Sequence, residues 1–167
     1  MHVTTRSWIL TRPGPCVDAC NPDCRFLHTA VGGLDSVVNG TTGGWQHIRV
    51  RVAAAAVARV RQASNDHETR FGTVSLRWQF DGKQQLTMEL SVPVGATAEV
   101  HSPNVVAGRV LASVSEGEAT VWPQPSGAVN ATMGGWLHSV VANVHSEAVV
   151  ANVGSGSYVF TARYKGV

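Results

Sequence analysis

At 167 residues, with 44% hydrophobic and 14% charged residues, the chain has the size and composition of one ordered domain rather than a disordered tail. Its formal charge of +2 comes from 13 basic and 11 acidic residues spread without a basic run, which excludes the electrostatic footprint of a nucleic-acid partner. No apolar stretch approaches the roughly 18 residues of a membrane span, and Trp8-Ile9-Leu10 between Arg6 and Arg12 is too short for a secretory leader core. No membrane partner is expected, and the localisation is left open.

Residues 1–25 carry Pro13, Gly14, Pro15 and Pro22 and no periodic pattern, and read as a poorly structured N-terminal extension. Cys16, Cys20, Cys24 and His28 recur at a spacing of four, which on a helix would align a zinc-type ligand set. Pro22 breaks that helix, and the spacing is not that of paired metal knuckles, so unremarkable thiols are the better reading and no metal or cofactor is expected. Phe26 to Leu34 is apolar and small, compatible with a short helix closed by glycine. Residues 26–44 as a whole read as a linker, ending in the loop from Asn39 to Gly44.

From Trp45 the pattern changes to a period of two. Ile48, Val50 and Val52 alternate with His47, Arg49 and Arg51, a half-buried strand. Ala53 to Ala56 is featureless, and Val57 to Ser64 reads as a further strand leading through Asn65-Asp66 into the strongest signal in the chain. There, Val74, Leu76, Trp78 and Phe80 alternate with polar residues. Asp81-Gly82-Lys83 turns the chain, and Leu86, Met88, Leu90 and Val92 resume the alternation as the second arm of an antiparallel hairpin. Eight apolar side chains, each stabilising by roughly 1.5–3 kcal/mol when buried, require a second sheet as cover. Ala96, Ala98 and Val100 give a short strand stopped by Pro103, and Asn104 to Ala112 is ambiguous. Glu118 to Trp122 reads as a strand, Gly127 to Gly135 as a loop, and Ser157 to Tyr164 as the closing strand. The expected fold is therefore all-β: an antiparallel β-sandwich of about eight strands with Greek-key-like connections, spanning residues 45–167.

Four blocks carry a resemblance. Gly43-Gly44-Trp45-Gln46-His47-Ile48-Arg49-Val50, Glu68-Thr69-Arg70-Phe71-Gly72-Thr73-Val74 with Trp78, Leu90 through His101, and Val153 through Phe160 resemble, in order and spacing, the C-terminal β-sandwich domain of α-L-rhamnosidases of glycoside hydrolase family 78. The likeness runs from about Phe26 to Phe160 and is poor between Val105 and Ala151. Thr69-Arg70-Phe71-Gly72 departs from the family's usual Thr-Pro-Tyr-Gly, and the Gly127 to Gly135 loop has no counterpart. The resemblance implies a non-catalytic accessory domain that packs on a helical catalytic barrel, with Phe26 to Leu34 as the barrel's last piece; the catalytic remainder of the barrel matches no part of this chain. On this resemblance Gly72, Gly95 and Pro93 are fold devices, the two glycines at turns of unusual backbone angle.

The chemistry read from the residues agrees. An inverting glycosidase needs two carboxyl groups set roughly 6.5–9.5 Å apart. Glu89 and Glu99 fall on polar strand faces, Asp81 in a turn, and Glu116 and Glu118 in a loop, all expected to be solvated. Of Asp66, His67 and Glu68, only the two acids share a strand face, and His67 reads as a rim residue. Gly154-Ser155-Gly156 lacks the five-residue nucleophile elbow. No catalytic residue is expected. Trp45, Trp122 and Trp136, next to glycine or proline, are the candidate carbohydrate contacts of an alternative reading, a free-standing carbohydrate-binding module; packing is the competing role for each. Asn39-Gly40-Thr41 and Asn130-Ala131-Thr132 fit the glycosylation acceptor pattern.

Overall fold

A computed structural model of the chain describes residues 27–37, 44–123, 132–133, 136–137, 141–144 and 147–166. Two sheets enclose one core. The first has the order β1 (Leu34–Ser36), β2 (His47–Arg51), β6 (Thr97–Pro103), β13 (Ala148–Val153), β12 (Val141–Val144). The second runs β3 (Gln62–Thr69), β4 (Gly72–Phe80), β5 (Gln85–Val92), β14 (Gly156–Lys165), β8 (Arg109–Glu116), β7 (Val105–Val106), with β9 (Ala119–Trp122) also on β8. β10 (Thr132–Met133) and β11 (Trp136–Leu137) form a separate pair. The all-β sandwich is as expected from sequence. Its fourteen described strands exceed the expected eight, because two-residue strands such as β7 are too short to show alternation.

The hairpin of β4 and β5 lies where the alternation put it. Leu76 faces Leu90, Trp78 faces Met88 and Phe80 faces Leu86, and all eight of its apolar side chains are buried. Ile48 and Val50 of β2, Ala98 and Val100 of β6, and Val149, Ala151 and Val153 of β13 close over them from the other sheet. Gly72 and Gly95 both take positive φ, +120° and +86°, at their turns, and the Phe71 ring packs where a Gly95 side chain would begin.

Two expectations need correction. Residues from Ala53 form not a featureless joint and strand but a helix, α1 (Ala54–Val60), ended by Arg61 at φ 68° before β3 begins. Only Val57 of α1 is buried, so a seven-residue helix shows no 3.6-residue period for a sequence reading to detect. β3 runs on through Asn65-Asp66 to Thr69, and the turn into β4 falls at Arg70-Phe71. The sandwich is not wholly antiparallel either. β2 pairs with β6 in parallel, His47 facing Thr97 and Arg51 facing His101, and alternation is blind to strand direction.

The segment read as a linker contributes to the sandwich. A wide π-helical turn, Leu27–Val31, leads to Gly33 at φ +77°, and β1 then pairs with β2 and buries Leu34 completely. Trp78 Nε1–H donates to the Val31 carbonyl at 3.1 Å, tying this turn to the hairpin. Cys16, Cys20, Cys24 and the His28 ring lie outside the described residues, as do Asn39 and Asn130.

Candidate functional site

Of the three candidate tryptophans, Trp45 and Trp122 have described side chains, and these two lie apart at opposite edges of the seven-stranded sheet. Trp45, at φ 71°, is half-buried against the core, its indole stacked on the His67 ring with centroids 3.8 Å apart and planes inclined by 25°. His67 faces Val74 across the β3–β4 pair, so it sits on the inner side of the sheet, and Trp45 covers that edge. One face of the indole is therefore already occupied. Trp122 ends β9, precedes the cis Pro123 and packs partly on the core at the opposite edge of the same sheet. Trp136 lies on β11, and its side chain is outside the described residues.

The acidic candidates are dispersed. Asp66 and Glu68 are exposed on the edge strand β3, where Glu68 accepts a hydrogen bond from the Thr73 hydroxyl at 2.9 Å. Asp81 Oδ1 accepts the backbone N–H groups of Lys83, Gln84 and Gln85 at 2.7, 2.8 and 3.0 Å, an anchor for the hairpin turn. Partial burial pulls its pKa upward, but those three donors outweigh it and hold the carboxyl below its ordinary value. Glu118 and Glu89 are exposed. Glu116 corrects the sequence reading: it is the last residue of β8, faces Phe160, and is only 4% exposed instead of lying in a solvated loop. Its charge and, above all, burial push the Tyr158 hydroxyl pKa up. Among the described residues, no group of three or more His, Cys, Asp or Glu is placed to hold a metal ion, and no helix is long and apolar enough to cross a membrane.

Polar side chains gather instead on the two outer sheet faces. On the five-stranded sheet, Arg49 Nε meets Glu99 Oε2 at 3.4 Å across the parallel β2–β6 pair, and Arg51 Nη2 meets Glu147 Oε2 at 2.9 Å. His47 Nδ1 and Thr97 Oγ1 share a hydrogen bond of 2.8 Å. His101 lies within this strip, its Nε2 buried without a hydrogen bond and 3.6 Å from Glu99 Oε2, an ion-pair separation. Burial lowers the His101 pKa, Arg49 and Arg51 lower it further, and Glu99 opposes them without prevailing.

On the seven-stranded sheet, a shallow open groove of about 320 Å³ crosses β3, β4 and β5. Two adjacent rows floor it: Ser64, Arg77 and Glu89 in one, Gln62, Gln79 and Thr87 in the other. No sequence signal marked it, since polar residues at alternate strand positions look the same whether solvated or recruited.

Residues 34–115 match the family model described as the bacterial alpha-L-rhamnosidase C-terminal domain. Over that segment, a little under half of its length, the chain resembles a rhamnosidase-type C-terminal sandwich. Among solved structures, the chain is similar to the α-L-rhamnosidase of Dictyoglumus thermophilum, at 22% identity and a TM-score of 0.59, over 83% of this chain and 13% of that one. It is similar also to the Streptomyces avermitilis α-L-rhamnosidase complexed with L-rhamnose, at 22% identity and a TM-score of 0.52, over 81% of this chain and 10% of that one. The chain thus spans about an eighth or less of the length of these enzymes. No curated protein matches it.

Proposed function

We propose that the chain is a non-catalytic accessory sandwich whose partner is the helical catalytic barrel of a rhamnosidase-like glycoside hydrolase. The observation that carries this reading is the coverage: a match over most of this chain to a small part of two rhamnosidases, by a fold whose buried positions are spent on packing. The described surface offers no broad apolar face for such docking. Its exposed large hydrophobics are five valines, Val60, Val94, Val105, Val110 and Val159, of which only Val105 and Val110 face each other. Contact with a barrel then rests on charged and polar side chains, as in the more polar interfaces between domains of one chain. The alternative, sugar recognition through Trp45, Trp122 and Trp136, has less support, because Trp45 is stacked on His67 and Trp122 packs on the core.

The test is a domain exchange. Residues 27–166 replace the equivalent sandwich of the Dictyoglumus thermophilum enzyme, beside a version from which that sandwich is simply deleted. The exchanged enzyme is expected to stay soluble and to hydrolyse a chromogenic α-L-rhamnoside, while the 167-residue chain alone does not. An exchange that behaves like the deletion, or turnover by the chain alone that is lost when one carboxylate is neutralised, overturns the reading.

A further inference from the structure

We propose that the groove across β3, β4 and β5 is a binding site for a neutral deoxy sugar, held by Arg77 and Glu89 with Val159 at its rim. The inference goes beyond the accessory role and does not depend on barrel docking. Its central observation is a pair of opposite charges that do not meet. Arg77 and Glu89 are directly opposed in the β4–β5 register, yet neither makes an ion pair or side-chain hydrogen bond with a described residue. The other sheet supplies the contrast, for Arg49 and Glu99 are likewise in register and do pair, at 3.4 Å. An exposed cross-strand ion pair contributes little to stability, so leaving this one open costs little and keeps both groups available to a ligand.

The chemistry of the lining selects the ligand class. Arg77 supplies donors only and Glu89 acceptors only, so adjacent hydroxyls of one molecule satisfy both: the guanidinium donates to one hydroxyl oxygen while the carboxylate accepts the neighbouring O–H. Their charges cancel, which favours neither an anion nor a cation. Gln79 adds a donor and an acceptor, Ser64 a hydroxyl, and Thr87 a hydroxyl that already accepts from Gln85 Nε2 at 3.3 Å and retains its own proton to donate. A volume of about 320 Å³ lies at the lower end of the roughly 300–1,000 Å³ of small-molecule sites, which suits one or two sugar rings. Six positions on three paired strands hold these groups, a more rigid support than a loop.

Two features narrow the class further. Trp78 borders the groove but is 2% exposed and its Nε1–H is committed to Val31, so no aromatic platform adds stacking and the affinity is weak. Beyond Glu89 in the same row, β14 places Val159, one of the five exposed valines, in register. An apolar side chain at the end of a row of hydrogen-bonding groups matches a sugar that carries a methyl in place of a hydroxymethyl group. L-Rhamnose, the sugar bound in the Streptomyces avermitilis enzyme, is such a molecule, and L-mannose is its hydroxymethyl counterpart.

The full 167-residue chain, isotopically labelled, is titrated with L-rhamnose and separately with L-mannose while backbone amide shifts are followed. Saturable shifts are expected at Ser64, Arg77, Gln79, Thr87 and Glu89, with L-rhamnose preferred several-fold. Arg77→Ala and Glu89→Ala each raise the L-rhamnose Kd about tenfold or more, while Val159→Ser removes the preference and leaves L-mannose binding unchanged. These positions are on the solvent side of the seven-stranded sheet, and unperturbed amide spectra of the free variants establish that the fold is intact. Absence of shifts at these amides, shifts confined to the surroundings of Trp45 and Trp122, or a Kd indifferent to both Arg77→Ala and Glu89→Ala overturns the proposal. None of these outcomes bears on the domain exchange, so the two readings fail separately.

Discussion

His101 shows how one residue on a polar strip ties the sandwich to pH. Its imidazole ordinarily titrates near 6.5, and in the folded protein burial holds that value lower, with Arg49 and Arg51 assisting and Glu99 opposing. Between the folded and unfolded values the unfolded chain binds the additional proton. Stability therefore rises with pH through that window, is fully present above about 6.5, and is lost as pH falls through the folded value. In His101→Gln this contribution disappears. Urea midpoints measured from neutral pH down to about 5 are expected to fall less steeply in the variant than in the parent; parallel slopes would show that His101 does not titrate on unfolding.

At the scale of elements, the hairpin of β4 and β5 joins core, turn and N-terminal segment. Trp78 fills the space between the sheets and also donates to Val31, so two substitutions separate its roles. Trp78→Ala is expected to cost about 3–5 kcal/mol through the cavity and the lost contacts. Trp78→Phe keeps most of the volume but leaves the Val31 carbonyl without its indole donor. Hydrogen exchange should then accelerate in the Leu27–Val31 turn and at β1 far more than at β5; uniform acceleration would mean that the indole bond does not secure that turn. Much of this hairpin was legible in the sequence, because eight apolar residues at alternate positions around Asp81-Gly82 have few other arrangements. Less legible elements failed for identifiable reasons. The β7–β8 hairpin turns at Ala107-Gly108, both at positive φ, where Ala conceals the signal that Asn would have given. Helix α1 buries one residue and shows no period. Packing is a role that the sequence allows for Trp45, but its partner His67 is not legible there, because only the fold brings the two rings together. The Arg77–Glu89 groove has no signature at all, since the pairing of strands, and not the composition of either, assembles it.

The whole molecule does not coincide with the segment matched by the family model. Residues 34–115 include β1 through nearly all of β8, yet the last strands in sequence lie in the middle of both sheets. β14 runs between β5 and β8, paired with each, and β13 pairs with β6 between it and β12. Tyr164 sits within this closure, its hydroxyl donating to the Pro103 carbonyl at 3.1 Å across the sandwich, and burial raises its pKa well above the ordinary tyrosine value. Cutting the chain after residue 115 removes Phe160, Ala162, Tyr164, Val149, Ala151 and Val153 from the core and leaves β5, β6 and β8 with open edges. At roughly 1.5–3 kcal/mol for each large apolar side chain, the loss is on the order of 10 kcal/mol, comparable with the roughly 5–15 kcal/mol that holds a domain folded. A fragment of residues 34–115 is therefore expected to lack cooperative unfolding and to aggregate through its exposed strand edges, whereas residues 27–166 unfold in one transition. Circular dichroism and analytical ultracentrifugation of the two fragments decide it. A monomeric, cooperatively unfolding 34–115 would show that the strands closing both sheets are an addition to a self-sufficient core, and that long-range pairing at β14 is not what completes this sandwich.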